Sequence, residues 1–194
     1  REPEAAVRAA RAAAALLEPL LPEEGTVLVA GLGNPAMTPD ALGPLTLEHL
    51  LITRHLGEAL PDFRPVAALA GGVLGTTGLE AAEWVRGVTE RLEPAAVVVV
   101  DALASRGLDR LCSAVQVADT GLIPGSGVGN HRMALTRETL GVPVLSVGVP
   151  TVVDAETIAR DLLSEAGAAD LDPQVLGGRG RRLFVTPDSI DARV

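Results

Sequence analysis

Four valines in succession, residues 97–100, run directly into Asp101, and no other feature limits the architecture of this chain as much. A strand buried on both faces reads as an unbroken apolar run, and such strands belong to parallel sheets covered by helices on both sides. Ligands of open α/β sheets collect at the carboxyl ends of the strands, so Asp101 stands where a sheet presents chemistry. An aspartate that caps a following helix gives the same local sequence. What favours chemistry is a second acid in a matching context.

That acid follows the run Thr26-Val27-Leu28-Val29-Ala30, which ends in the glycine turn Gly31-Leu32-Gly33-Asn34 and continues to Thr38-Pro39-Asp40. Thr38 suits a helix N-cap, Pro39 the first helical position and Asp40 the positive end of the helix dipole. Gly31 and Gly33 resemble a dinucleotide-binding turn, but Ala36 stands where the third glycine of G-x-G-x-x-G belongs, which argues against a nucleotide. Two acids after separate strands, each beside small residues that leave room for a peptide, suit paired acid–base chemistry. Two close carboxyls do not both ionise cheaply, so one keeps a proton and polarises a carbonyl while the other activates water.

The remaining pattern alternates strands and helices. Strands are expected over 66–70, 95–101, 114–118, 143–149 and, as a last edge, 183–186. Helices are expected over 3–21, 40–58, 77–92 (with Trp84 on the buried face) and 154–165, with short turns near 106–111 and 136–140. The 3–21 helix reads as a packing helix. Residues 71–78 and 119–130 are glycine-rich loops, and 167–182 a polar, glycine-rich linker. This predicts a three-layer α/β fold, a largely parallel or mixed sheet with helices on both faces. The length suits a single domain, 1–194, whose first 25 residues are an N-terminal helix and linker.

Aromatic residues make up only 2% of the chain while 47% is hydrophobic, so the core must be Val, Leu, Ala and Ile. The formal net charge is −9 and every cation is arginine, which leaves no basic stripe for nucleic acid. Cys112 is the only cysteine, which excludes an internal disulfide and suits a small buried hydrophobe in a cytoplasmic protein. No apolar run approaches the ~20 residues of a membrane helix. The chain begins at Arg1, as a processed form, a trimmed core or a fragment does.

Several side chains need weighing singly. His49 and His55 lie on a leucine-rich stretch and read as structural. Ser126 is flanked by Gly125 and Gly127, but Pro124 occupies the first position of the G-x-S-x-G elbow, so it is not read as a nucleophile. Asp154 reads as a helix cap. Asp119 follows a strand as Asp101 does, and either forms a turn or binds substrate backbone. Arg106 suits either a bidentate contact to an acidic substrate side chain or a surface ion pair.

The runs Gly31-Leu32-Gly33-Asn34, Thr38-Pro39-Asp40-Ala41-Leu42-Gly43-Pro44, Asp101-Ala102-Leu103-Ala104-Ser105-Arg106, Asp119-Thr120-Gly121, Pro124-Gly125-Ser126-Gly127-Val128-Gly129-Asn130 and Gly148-Val149-Pro150-Thr151-Val152-Val153-Asp154 occur in the order seen in the germination proteases of spore-forming bacteria, and the chain closely resembles that family. The resemblance implies an endopeptidase that degrades small acid-soluble spore proteins in the spore core during germination, of aspartic type, with Asp40 and Asp101 as the catalytic pair. It implies cleavage beside glutamate and a homo-oligomer, possibly a tetramer, with no cofactor. Gly33, Asn34, Arg106 and Asp119 are then expected to bind substrate. The family is made as a zymogen with an N-terminal propeptide and further C-terminal sequence, whereas only about two dozen residues precede the first strand here. More distantly, the chain is similar to hydrogenase-maturation endopeptidases of phosphorylase/hydrolase-like fold, which would make Asp40 and Asp101 metal contacts with His131 as a third ligand. An inactive scaffold that kept the fold is the non-enzymatic alternative.

Overall fold

In a computed structural model of the chain, which describes residues 2–129, 132–167, 180, 183–188 and 190, the six strands of one mixed sheet carry the core. They are β1 (Val27–Gly31), β2 (Val66–Ala70), β3 (Ala96–Ser105), β4 (Gln116–Ala118), β5 (Val144–Asp154) and β6 (Phe184–Val185). Their order is β2-β1-β3-β5-β4, with β6 also paired to β5. The pairs β1–β2, β1–β3 and β3–β5 are parallel, while β4 and β6 run antiparallel to β5.

Strand side chains alternate between the two faces, and the apolar residues divide accordingly. Leu28, Ala30, Val97 and Val99 pack with Ala82 and Val85 of α4 (Ala81–Leu92) on one face. Val27, Val29, Val98 and Val100 pack on the other with Leu42 and Leu47 of α2 (Leu42–Glu48) and Leu17 of α1 (Glu2–Leu17). The four valines are at most 8% exposed. Each contributes about 2 kcal/mol by burial, which is why this run so strongly dictates a central strand.

The connections create a gap in the middle of the sheet. From β1 the chain passes through α2 to β2 on one side, and from β2 it returns through α4 to β3 on the other. Strand order therefore reverses between β1 and β3, the place where α/β sheets open a ligand crevice. The Leu32 N–H donates to the Val100 carbonyl at 2.8 Å, after which the β1 chain turns away. Gly43 of α2 fits into this fork, where a Cβ would lie 2.2 Å from the Leu32 oxygen and 2.7 Å from that of Val100.

Several sequence expectations change. Asp101 is not the last residue of its strand: β3 continues to Ser105 because the long β5 keeps pairing with it after β1 has ended. Strand β5 likewise runs on through Pro150, with a register shift between Leu103 and Ala104 that accommodates a residue lacking an N–H. The helix expected over 40–58 divides into a 3-10 turn at Thr38–Asp40, α2, and a 3-10 segment at Arg54–Ala59. Thr53 helps divide it, since its hydroxyl bonds the Arg64 carbonyl and the Val66 N–H and fastens this stretch to the start of β2.

The helix expected from residue 77 starts at Ala81, after the single turn α3 (Leu74–Thr77) ends at Gly78 in the left-handed conformation. Glu80 and Glu83 then form a reciprocal capping box. Trp84 packs on the core as expected, and Gly71 lies flush against its indole. Helix α1 is less packed than expected: its residues 4–16 are exposed apart from Ala13, and it is anchored through Leu17. Alanine supplies helix propensity but little apolar area to bury. The linker expected over 167–182 lies outside the described residues except for its ends at Gly167 and Gly180. After α5 (Arg137–Leu140), the helix α6 (Ala155–Glu165) begins at Asp154, whose carboxylate caps the Thr157 N–H at 2.8 Å.

Candidate active site

A cavity of about 770 Å³ opens at the point where β1 leaves β3, and both Asp40 and Asp101 line it. That volume lies in the range of small-molecule and peptide clefts. Asp101 projects from the continuing part of β3 and is 8% exposed. Asp40 ends the Thr38–Asp40 turn and is half-buried.

Three contacts fix Asp40. Its Oδ2 accepts the Asn34 N–H at 2.9 Å. The carbonyl of the preceding Pro39 accepts from the fully buried hydroxyl of Thr151 at 2.6 Å, which ties the turn to β5. Gly33, at φ +113°, closes the third side: a Cβ there would lie 1.9 Å from the Asp40 carbonyl oxygen and 3.2 Å from Oδ1. Only glycine permits both that backbone conformation and that approach.

Burial raises both carboxyls above the ordinary carboxylate range. For Asp101 desolvation is the larger cause and the neighbouring Asp40 carboxylate adds to it, while the Ala102 N–H pulls the other way, and the result is about 7. Asp40 is raised by desolvation, opposed by its bond from Asn34. The buried member of the pair thus keeps its proton until the pH approaches about 7, and the more exposed member is the one that ionises first. Such a pair titrates as a unit and is suited to simultaneous acid and base work.

The walls are apolar on the loop side, where Met37, Leu122, Ile123 and Val128 line the opening. Arg106 and Arg110 flank it, both exposed and neither in an ion pair among the described residues. Their turn is held by the Ser105 hydroxyl on the Gly107 carbonyl at 2.5 Å and by Asp161 of α6, which accepts the Leu108 N–H at 2.8 Å. Ser126 also faces the cavity, in a 3-10 turn rather than a strand-to-helix elbow.

Of the residues expected to bind substrate, Arg106 reaches the cavity. Gly33 and Asn34 do not line it and act instead on Asp40. Asp119 is exposed and also lies outside it. The reason is strand direction: β4 is antiparallel, so its carboxyl end points away from the carboxyl ends of β1, β3 and β5. Gln116, level with Asp101, lines the cavity instead, as do Arg110 and Thr151, and sequence reading missed all three. Arg110 had a faint signal, four residues beyond Arg106. His131 lies outside the described residues, among which no group of three or more His, Cys, Asp and Glu gathers as metal ligands.

Residues 4–166, which include both aspartates and all of β1 to β5, match the germination protease family. The chain belongs to that family. It is 54% identical over 146 residues to the germination protease of Geobacillus sp. (strain WCH70), a match covering 73% of this chain and 39% of the relative. With the germination protease of Clostridium perfringens (strain 13) it shares 53% identity over 157 residues, 77% of this chain and 48% of the relative. The chain therefore spans less than half the length of these curated relatives. Among solved structures it is similar to the nickel–iron hydrogenase maturation protease HycI from Thermococcus kodakarensis KOD1, with a TM-score of 0.49 and 23% identity over 79% of this chain and 96% of that one.

Proposed function

We propose that this germination protease chain is an endopeptidase of aspartic type in which Asp40 and Asp101 share one proton. The observation that carries the reading is the unequal pair itself: a buried carboxyl raised to about 7 beside a more exposed one, both facing one cavity. In this scheme ionised Asp40 takes a proton from water as the water oxygen attacks the peptide carbonyl carbon. Asp101 gives its proton to the carbonyl oxygen, forming a tetrahedral diol. The C–N bond then breaks as Asp40 protonates the departing nitrogen and Asp101 recovers a proton from a diol hydroxyl, returning the pair to its starting state.

The substrates in this reading are small acid-soluble spore proteins, cleaved in the spore core by a homo-oligomer derived from a zymogen. Family membership and the motifs surrounding both aspartates support it. Arg106 and Arg110 fit the expected cleavage beside glutamate, since each guanidinium can take a carboxylate in a bidentate grip. The whole chain, 1–194, is read as one α/β peptidase domain.

Incubation of the purified protein with small acid-soluble spore proteins is expected to give discrete fragments. Asp40→Asn and Asp101→Asn are each expected to lower the rate by at least about a hundredfold, the usual contribution of a positioned acid or base, with circular dichroism unchanged. Undiminished cleavage by both variants would overturn the mechanism.

A further inference from the structure

Gln116 is the first residue of β4 and pairs with Gly148 of β5, which pairs in turn with Asp101 of β3. The three residues form one row across three strands, and residues so paired project from the same face of a sheet. Two strand spacings separate the ends of the row by about 9–10 Å. Asp101 and Gln116 both line the cavity.

Between them Gly148 has no side chain, and Leu103 lies over it: a Cβ at Gly148 would come within 2.6 Å of the Leu103 Cγ and Cδ1. The floor of the cavity is thus apolar and low, with a carboxyl at one end and a carboxamide at the other. Gln116 is half-buried and its carboxamide makes no hydrogen bond among the described residues. Two N–H donors and a carbonyl acceptor are therefore available to whatever lies on the Leu103 floor.

We propose that Gln116 reads the main chain of the substrate, its carboxamide pairing with the N–H and C=O of one residue of an extended polypeptide whose scissile bond lies at Asp40 and Asp101. This rests on the endopeptidase reading above. In extended backbone the N–H and C=O of one residue point to the same side, so a carboxamide can give one N–H···O bond and accept another whatever the side chains. That complements Arg106 and Arg110, which select charge. At roughly 3.3 Å per residue, the length of the row places the residue so read two to three residues from the scissile bond.

The test uses a peptide that the protein cleaves and a set of copies, each N-methylated at one position from one to four residues on either side of the cut. Gln116→Ala and the similarly sized Gln116→Leu are expected to raise KM about tenfold, as loss of a hydrogen-bonded pair does, and to leave kcat within a factor of two. N-methylation at one position, two or three residues away, is expected to raise the wild-type KM about as much and to add nothing in either variant. Equal N-methyl penalties in wild type and variants, or a wild-type KM in both variants, would overturn the proposal. Titrating the same peptides into Asp101→Asn reads the Gln116 contact without turnover. Unimpaired cleavage by both aspartate variants instead counts against the Asp40 and Asp101 mechanism and leaves the KM comparison with the N-methylated peptides decisive for Gln116.

Discussion

Replacing Asp101 by asparagine removes a titration that works against the folded state, and the size of the effect follows from the site. The Asp101 carboxyl titrates at about 7 in the fold against an ordinary value of 3.8. Below pH 4 both folded and unfolded chains carry the proton, so the shift costs nothing. As pH rises towards 7 the unfolded chain releases it while the folded chain retains it, and stability declines; above 7 the full penalty is present. About three pH units at 1.36 kcal/mol each give a loss of about 4 kcal/mol. Against a total stability of roughly 5–15 kcal/mol, that is a large share.

Asparagine keeps the volume and an oxygen able to accept the Ala102 N–H but does not titrate. Other acids contribute equally to both proteins and cancel in the comparison. Urea unfolding from pH 4 to 8.5 is therefore expected to show the variant gaining on the wild type by about 4 kcal/mol across the window. With a denaturant slope of about 2 kcal/mol/M, the difference in midpoint grows by about 2 M. Asp40→Asn should lower the upper end of the window without abolishing it, because desolvation rather than the Asp40 charge is the larger cause. Parallel curves for wild type and Asp101→Asn from pH 4 to 8.5 would refute the claim that this carboxyl is held protonated.

The same pair predicts a bell-shaped dependence of kcat/KM on pH, with the alkaline limb near 7 as Asp101 loses its proton and the acid limb set by protonation of Asp40; initial rates at constant ionic strength check it. Gly33→Ala forces a Cβ against the Asp40 carbonyl at a positive φ, and is expected to destabilise the protein by roughly 3 kcal/mol and to lower kcat in whatever fraction remains folded at low temperature. Thr151→Val leaves the half-buried Pro39 carbonyl without its donor, at a cost of about 1–2 kcal/mol in thermal unfolding, while Thr151→Ser keeps the wild-type stability.

The central strand and its acid were legible because burial on both faces leaves an unmistakable pattern: residues 27–31 and 96–100 lie in the positions their apolar runs imply. The end of β3 was not legible, because Ala102, Leu103 and Ala104 continue as a strand only by virtue of pairing with β5, a contact between segments about 47 residues apart in sequence. The break after α2 depends similarly on Thr53 reaching Arg64 and Val66. Asp119 shows how local context misleads. It follows a strand just as Asp101 does, but strand direction is a property of the sheet, and in the antiparallel β4 the position after the strand faces the wrong end. For the same reason Gln116, at the start of that strand, was invisible as a site residue.

In the proposed mechanism, which aspartate is acid and which is base follows from how each is held. Asp101 rises from a strand with paired neighbours on both sides up to Val100, in a wall of valines, so its charge has little solvent to stabilise it. Asp40 is carried on a turn at the half-exposed edge, and a backbone N–H from Asn34 meets its carboxylate directly. Two identical side chains are thereby driven to different protonation states by backbone placement alone. The glycines make this asymmetry possible. Gly43 lets α2 descend into the fork beside Asp101, and Gly33 lets the β1 loop close on Asp40. A side chain at either position would separate the elements that carry the pair, so the proposed acid–base chemistry depends on residues that have no functional group of their own.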